Sequence, residues 1–254
     1  VKAVDDAELH VSYGVTGNDD IPGMSRYSYL AGTNLYSTTV GLRLAGLAND
    51  ELKWETTRKF NAGFSLRLLD DRLTVGFDYF RHSTSDLLTL HKAPVEMGRE
   101  YQLKNGGKME NEGFEASVGA RVLNFRNFSW QTDLGVSHYV NKITSLPGGQ
   151  QTTQVLGGEI ITMEGSPAGL FYGYKTKGVF ATTAEASEAN LKVQNADASY
   201  STFAAGDVHF DDYDPNGIID GKDRQVIGDP NPDLTGSWFN RFVWKRFTLG
   251  VMFT

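Results

Sequence analysis

Apolar and polar residues alternate with a period of two along several runs of this chain. The clearest runs are 9–16, 73–79, 114–121, 130–137 and 247–253. Alternation of this kind places one set of side chains on each face of a β-strand. Short turns at 69–72, 124–127 and 244–246 separate consecutive runs, which indicates antiparallel hairpins. The pattern therefore predicts an all-β chain of antiparallel strands.

Two architectures accommodate such hairpins. A soluble sandwich would bury the apolar face against a second sheet, whereas a transmembrane β-barrel would turn that face to lipid and line a lumen with the polar face. The polar face carries charged residues such as Asp78, Arg121 and Asp133, and the runs 54–68 and 128–143 exceed a usual strand of about 5–6 residues. Aromatic residues at strand ends and turns would form an interfacial girdle: Trp54, Phe80, Phe125, Phe128, Trp130, Tyr139 and Trp244. These features favour the barrel, and the sandwich remains the alternative.

The connections between the runs differ in length. Short turns alternate with long, polar, glycine-rich segments, an asymmetry that outer-membrane barrels share. We therefore divide the chain into barrel strands and loops at 1–143, a long extracellular loop region at 144–235, and a truncated barrel hairpin at 236–254. Within the long region, Thr182 and Glu185 have the spacing of a helix N-terminus. The glycine-spaced stretch 165–173 is interpreted as an ordered loop.

One segment carries a specific chemical motif. Residues 212–223 read D-Y-D-P-N-G-I-I-D-G-K-D and match the twelve-residue calcium loop, in which alternate side chains supply oxygens to a hard cation. The predicted ligands are Asp212, Asp214, Asn216, the Ile218 carbonyl, Asp220 and Asp223. No amphipathic helix precedes the loop, so we predict a free-standing structural site for Ca²⁺, with Mg²⁺ as the alternative ion. A metal-free surface turn is the other interpretation.

Composition narrows the function classes. The chain has 24 Lys and Arg against 31 Asp and Glu, a net charge of −7, which argues against a nucleic-acid partner. Cysteine is absent, so disulfides, thiolate metal sites and cysteine nucleophiles are excluded. No zinc-hydrolase, nucleotide-binding or nucleophile-elbow motif occurs, and we predict that the protein is not an enzyme. Residues 1–6 lack a secretory signal, and strand patterns at both ends indicate part of a longer chain.

Five segments, taken together and in order, resemble the C-terminal barrel region of the SusC/RagA-like TonB-dependent outer-membrane transporters. They are V-S-Y-G-V-T-G-N at 11–18, L-K-W-E-T-T-R-K-F-N-A-G-F at 52–64, N-G-G-K-M-E-N-E-G-F-E at 105–115, G-S-P-A-G-L-F-Y-G-Y-K-T-K-G-V-F at 165–180 and the segment 206–233 that contains the calcium-type loop. The resemblance extends over nearly the whole chain.

This resemblance implies a 22-stranded barrel around an N-terminal plug, with this chain forming roughly its last third. The protein would import an oligosaccharide or a peptide across the outer membrane of a Gram-negative bacterium. A SusD-like surface lipoprotein would capture the substrate, and TonB would supply energy by pulling on the plug. By the same resemblance, the family's plug, its TonB-contacting segment and its carboxy-terminal aromatic strand are expected to lie outside this chain.

Substrate contacts are expected from loop aromatics, because sugar rings and peptides both stack on aromatic faces. The candidates are Phe171, Tyr172 and Tyr174, and the alternative is that these side chains pack the loop itself. The competing function is a secreted calcium-dependent carbohydrate-binding β-sandwich. That function requires the apolar face of the strands to be buried against a second layer.

Overall fold

The computed structural model describes residues 3–20, 29–36, 39–46, 48–92, 96 and 101–254. Antiparallel strands dominate these ranges, and every alternating run named above falls inside a strand. In chain order the strands are β1 (Val4–Asn18), β2 (Tyr29–Tyr36), β3 (Thr39–Gly46), β4 (Glu55–Leu68), β5 (Leu73–Ser85), β6 (Leu88–Lys92), β7 (Tyr101–Asn105), β8 (Lys108–Phe125), β9 (Phe128–Ser145), β10 (Gln150–Val155), β11 (Gly158–Met163), β12 (Leu170–Tyr174), β13 (Thr176–Val179), β14 (Lys192–Gln194), β15 (Tyr200–Thr202), β16 (Val208–Phe210), β17 (Ile218–Ile219), β18 (Arg224–Gly228), β19 (Thr235–Trp244) and β20 (Phe247–Phe253).

The chain divides into two compact units. The first comprises Val1–Gly149, Met163–Ser166 and Pro232–Thr254, and the second comprises Gln150–Thr162 and Pro167–Asn231. The first unit contains a seven-stranded sheet in the order β1-β4-β5-β8-β9-β19-β20, in which all neighbours are antiparallel. The second contains small sheets and one helix, α1 (Thr183–Ala189).

Short and long connections alternate along the seven-stranded sheet. The turns after β4, β8 and β19 span only two to four residues, whereas the connections after β1, β5 and β9 hold the remaining strands. Because neighbouring strands are antiparallel, all short turns lie at one end of the sheet and all long connections at the other. The predicted hairpin arrangement is confirmed.

The two faces of this sheet differ in chemistry. The register aligns Leu9 with Phe64 and Phe64 with Phe77, and the rings of Phe77 and Phe114 lie 6.0 Å apart on the same face. Large side chains of this apolar face stay exposed, and Leu9 is 80% exposed. A sandwich would bury such a stripe, so the exposed face contradicts the sandwich alternative.

Two residues of the predicted aromatic girdle lie on the opposite face. Phe80 pairs with Gly113, and Gly113 pairs with Tyr139, in a row that alternates with the apolar one. A Cβ on Gly113 would lie 2.8 Å from the Phe80 ring, which places that ring on the polar face. The girdle prediction is therefore wrong for Phe80 and Tyr139, because position in the strand, not nearness to its end, decides the face.

The second unit corrects one further expectation. Residues 170–174, interpreted as loop, form strand β12 between β11 and β18 of a four-stranded sheet. The predicted helix start is confirmed: Thr182 is the N-cap of α1, and its hydroxyl accepts a hydrogen bond from the Glu185 N–H at 3.2 Å. Among the described residues, no helix has the length and apolar character needed to cross a membrane.

Candidate functional site

The segment 212–223 forms a closed loop between β16 and β18. Its base is fixed just outside the loop, where Gln225 Nε2 donates a hydrogen bond to Asp211 at 3.3 Å. Lys177 Nζ lies 2.7 Å from the other oxygen of Asp211. These contacts, the one with Lys177 first, lower the pKa of the Asp211 carboxyl below its ordinary value. Asp211 therefore ties the two ends of the loop together as a carboxylate.

Asp212 curls the first half of the loop. Its carboxylate accepts hydrogen bonds from the backbone N–H groups of Asn216 at 3.2 Å and Gly217 at 2.8 Å. Gly217 has a φ of +78°, which residues with a Cβ rarely adopt, so the glycine of the motif serves the sharp turn. Asn216 in turn donates its Nδ2 to Asp214 at 2.9 Å and accepts from the Ile218 N–H at 2.7 Å.

Asp223 closes the loop from the inside. Its side chain is completely buried, and its oxygens accept hydrogen bonds from the N–H groups of Tyr213 and Asp220, each at 2.8 Å. Asp220 and Asp223 also cap a 3-10 turn (Gly221–Asp223) reciprocally. A buried charge is costly unless it is hydrogen-bonded or paired. The backbone donors therefore hold the Asp223 side chain in its inward position.

Three of the predicted ligands converge in the loop. One carboxylate oxygen from each of Asp212, Asp214 and Asp223 lies within 4.8 Å of the other two. Asp214 Oδ1 is buried and accepts no hydrogen bond. No ion pair found within the described ranges involves any of these three carboxylates. Clustered oxygen donors of this kind suit Ca²⁺ or Mg²⁺, so the residues present fit the predicted cation.

The remaining predicted ligands lie along the same loop. Asn216 is joined to Asp214 by the hydrogen bond given above, and Asp220 accepts from the Lys222 N–H at 2.7 Å. Ile218 lies in β17, which runs parallel to β14 with Ile218 opposite Lys192. The structure thus brings Asp212, Asp214 and Asp223 into one cluster, and Asn216, Ile218 and Asp220 shape the loop around it.

The loop is anchored in the small core of the second unit. Ile219 is 3% exposed and belongs to a cluster with Phe180, Ala186 and Leu191. Partly buried Phe203 and Phe210 pack against the same cluster. Ile219 therefore links the conformation of the loop to the packing of this core.

The three candidate aromatic residues lie on β12 and do not share one environment. Phe171 is 47% exposed, whereas Tyr172 and Tyr174 lie beneath the guanidinium of Arg224, whose carbon is 5.0 Å and 6.0 Å from their ring centres. Burial, followed by the negative charges of Asp223 and Asp220, raises the pKa of the Tyr174 hydroxyl. The geometry leaves Phe171 available to a ligand and engages the two tyrosines within the sheet.

Arg224 and Glu159 are site residues that sequence reasoning missed. Arg224 follows Asp223 directly in the chain and forms an ion pair with Glu159 of β11. Its partner lies 65 residues earlier, so nothing in the local sequence marks the pair. Arg224 therefore connects the end of the loop 212–223 to β11 and to the aromatic residues of β12.

The polar face of the seven-stranded sheet holds a second group of clustered polar side chains. A groove of about 430 Å³ crosses β5, β8, β9 and β19, lined by Asp78, Glu115 and the hydroxyls of Ser117, Ser137 and Ser237. The charged residues singled out from sequence, Arg121 and Asp133, lie on this same face, opposite Gln131 and Gly119.

On this face, His10 Nε2 of β1 and Asp78 Oδ1 of β5 lie 2.5 Å apart, although β4 runs between these two strands. The pair spans Gly63 of β4, since a Cβ at this position would lie 2.6 Å from His10 Nε2. Glycine at this position therefore permits a contact between the side chains of β1 and β5.

Comparisons of the sequence with a family model and with curated proteins point to the same family. The sequence model of the family described as "TonB dependent receptor-like, beta-barrel" matches residues 2–251. TonB-dependent receptor P3 of Formosa agariphila is 35% identical over 95% of this chain and 24% of its own length. TonB-dependent receptor SusC of Bacteroides thetaiotaomicron is 27% identical over 97% of this chain and 24% of its own length. The chain thus spans about a quarter of the relatives it matches.

Solved structures support the same fold. The RagAB peptide transporter aligns with 99% of this chain and 26% of its own chain, with a TM-score of 0.74 and 22% identity. The RagAB peptide importer in its closed-closed state aligns equally widely, with a TM-score of 0.73. At this identity the likeness concerns the fold, and it agrees with a segment of barrel wall carrying long connections.

Proposed function

The chain belongs to the TonB-dependent receptor-like β-barrel family, and we propose that it forms wall strands and extracellular loops of an importer of oligosaccharides or peptides. Members of this family are outer-membrane β-barrel proteins of Gram-negative bacteria and are not enzymes. The seven-stranded sheet is a segment of transmembrane barrel, its apolar face turned to lipid and its polar face to the lumen.

The observation that carries the proposal is the family match across 2–251 together with the relation to SusC and the fold of RagAB. RagAB is a peptide transporter, and peptides are accordingly one of the two proposed substrate classes. A SusD-like lipoprotein is the proposed extracellular partner, and TonB acts through a plug outside this chain. The polar groove beside Asp78 and Glu115 would face that plug.

Nutrient uptake by cells that carry the complete gene tests this function. Deletion of the gene should abolish growth on one oligosaccharide or peptide source and leave growth on the corresponding monosaccharides or amino acids unchanged. Loss of TonB should give the same phenotype, and the full-length protein should co-purify with a surface lipoprotein. Unchanged uptake of every oligosaccharide and peptide in the deletion strain would refute the proposal.

A structural Ca²⁺ in the loop 212–223 is part of the proposal. It is supported by the convergence of Asp212, Asp214 and Asp223 and by the buried Asp214 oxygen without a partner. When bound, the ion would supply positive charge to this cluster, while the protein groups hold the loop and Ile219 in place. Calorimetric titration of the full-length receptor with Ca²⁺ and with Mg²⁺ tests the site, and absence of binding for both ions would remove it.

Phe171, Tyr172 and Tyr174 are the proposed substrate contacts, with Phe171 foremost because it is the most exposed of the three. Replacing Phe171 with Ala should weaken substrate binding without altering the Tyr172–Arg224 contact. The matched control is Tyr200→Ala, which removes a similarly exposed ring from β15. Equal binding by both variants would leave the aromatic side chains of β12 with a packing role alone.

A further inference from the structure

The polar face of the seven-stranded sheet changes its chemistry towards the end that carries the long connections. Beyond the row that holds Asp78 and Glu115, two successive rows of the register cross β1, β4, β5, β8 and β9. We name the ten residues of these rows the lumen patch. The first row holds Ser12, Asn61, Phe80, Gly113 and Tyr139, and the second holds Gly14, Lys59, His82, Asn111 and Asn141.

Phe80 supplies an aromatic surface in the first row. Gly113 lies directly opposite on β8, and a Cβ there would lie 2.8 Å from the Phe80 ring, so the ring leans over the glycine. The His82 ring lies 5.2 Å from that of Phe80, and Tyr139 lies on the far side of Gly113. The side of the Phe80 ring turned away from the sheet is therefore directed into the lumen.

Hydrogen bonds orient the carboxamides on either side of this ring. Asn61 donates its Nδ2 to Ser12 Oγ at 3.2 Å, and its Oδ1 accepts from His82 Nε2 at 3.3 Å. Across β8 and β9, Asn141 donates its Nδ2 to Asn111 Oδ1 at 2.6 Å. Three asparagines on three strands are thus fixed by partners within the lumen patch.

Two nitrogen donors of the second row are left for a ligand. Asn111 accepts from Asn141 through its Oδ1, and no hydrogen bond within the described ranges uses its Nδ2. Lys59 takes part in no ion pair among the residues that the structure describes. The lumen patch therefore combines an aromatic surface with oriented amide and ammonium groups.

This chemistry distinguishes between the two proposed substrate classes. The interior strands β4, β5 and β8 are paired on both sides, so their backbone groups are engaged within the sheet and offer nothing to a peptide main chain. None of the ten residues is acidic, so the patch offers no carboxylate to the ammonium groups of a peptide. A pyranose, in contrast, presents an apolar ring face to an aromatic ring and hydroxyls to carboxamides.

We propose that the lumen patch binds a neutral pyranose unit of the transported solute, which is then an oligosaccharide. The apolar face of the sugar lies on Phe80, and its hydroxyls accept from Asn111 and Lys59. The inference rests on the proposed importer function and commits to one of the two substrate classes which that function allows. It shares no residue with the aromatic contacts proposed on β12.

Binding measurements on the full-length receptor in detergent test the proposal. The probes are hexasaccharides of α-glucan, β-glucan, mannan and xylan without charged groups, and a library of hexapeptides. At least one hexasaccharide should bind, and its Kd should not rise with added salt, because the sugar carries no charge that salt could screen. A Kd that rises with salt, as for a carboxylate held by Lys59, would contradict the proposal.

Two replacements of Phe80 separate stacking on its ring from packing over Gly113. Phe80→Tyr keeps the ring face and should bind the hexasaccharide as the wild type does. Phe80→Leu fills the same space without a ring and should bind about tenfold more weakly. The matched control, Phe64→Leu, makes the same change on the lipid-facing side of β4 and should leave the Kd unchanged.

A second pair of variants tests the carboxamide. Asn111→Leu removes the amide at similar volume and should weaken hexasaccharide binding about tenfold, because a hydrogen bond to the sugar is lost. Its control is Asn124→Leu, which changes an exposed asparagine at the opposite end of β8. A heat-modifiable band on gels verifies that every variant is folded.

Failure of every hexasaccharide to bind, or wild-type affinity in Phe80→Leu or in Asn111→Leu, would overturn the proposal. The deletion strain separates this outcome from failure of the importer function. Gene-dependent uptake of peptides alone would leave the importer in place and remove the sugar site. Uptake that does not depend on the gene for any oligosaccharide or peptide would remove the importer function itself.

Discussion

Neutralising Asp214 should have opposite effects on the loop 212–223 with and without Ca²⁺. Its carboxylate is within 4.8 Å of those of Asp212 and Asp223, and its buried Oδ1 accepts no hydrogen bond. Two unit charges at that distance repel by roughly 3 kcal/mol at an effective dielectric constant of 20. Because Asp214 is only partly buried, solvent reduces the effect to roughly 1–2 kcal/mol.

In the presence of a chelator, Asp214→Asn should therefore stabilise the loop. The relief corresponds to roughly a 5- to 30-fold increase in hydrogen-exchange protection of the segments around Phe180, Leu191 and Ile219, which form the core that the loop anchors. In saturating Ca²⁺ the sign reverses, because the variant has lost a charged ligand and binds the ion more weakly. The assay is hydrogen exchange of the full-length receptor in chelator and in Ca²⁺.

Two control variants sharpen this experiment. Asp223→Asn should destabilise the loop under both conditions, because its carboxylate accepts backbone hydrogen bonds that an amide satisfies only in part. Asp197→Asn removes a charge from an exposed turn of the same unit and should leave the core unchanged. If Asp214→Asn lowered protection in chelator as well as in Ca²⁺, repulsion among the three carboxylates would not be what destabilises the ion-free loop.

Three further predictions concern the rest of the structure. Gly63→Ala should separate His10 of β1 from Asp78 of β5 and lower the stability of the barrel by about 1–2 kcal/mol in detergent melting. Gly14→Ala, which has open space around it, should leave the stability unchanged. Glu159→Gln should break the ion pair with Arg224 between β11 and β18 and lower the local stability by about 2 kcal/mol. Proteolysis within 150–174 should then be faster, and an unchanged rate would show that the pair contributes nothing. Because the pKa of Asp211 is lowered in the folded protein, its carboxylate stabilises the loop above the unfolded pKa near 3.8 and loses this effect as pH falls through the folded value. Asp211→Asn should therefore reduce the loss of hydrogen-exchange protection of the loop at acidic pH. An unchanged loss in the variant would contradict this prediction.

The strands of the seven-stranded sheet could be predicted because their signal is local. Alternation at 73–79 and 114–121 identifies β5 and β8, since each strand displays its two faces within a few residues. The short turns were equally readable from their composition. The girdle prediction failed at Phe80 and Tyr139 because nearness to a strand end ignored the alternation that assigns each residue its face.

Strand β12 was missed for a different physical reason. Its residues 170–174 have one glycine between two tyrosines and no clean alternation. The strand exists because β11 and β18 pair with it on either side. Pairing of this kind is a tertiary effect that overrides weak local preference. The same non-locality concealed the ion pair between Glu159 and Arg224.

The loop 212–223 and the contact between His10 and Asp78 differ in how much of each the sequence reveals. All predicted ligands of the loop lie within twelve consecutive residues, so spacing alone brought Asp212, Asp214 and Asp223 into one hypothesis that the geometry fits. His10 and Asp78 are 68 residues apart in the chain, and nothing in either segment marks them as partners. Only the register of β1, β4 and β5 brings the two side chains together across Gly63. A contact built across three strands therefore follows from the sheet pairing and not from the local sequence.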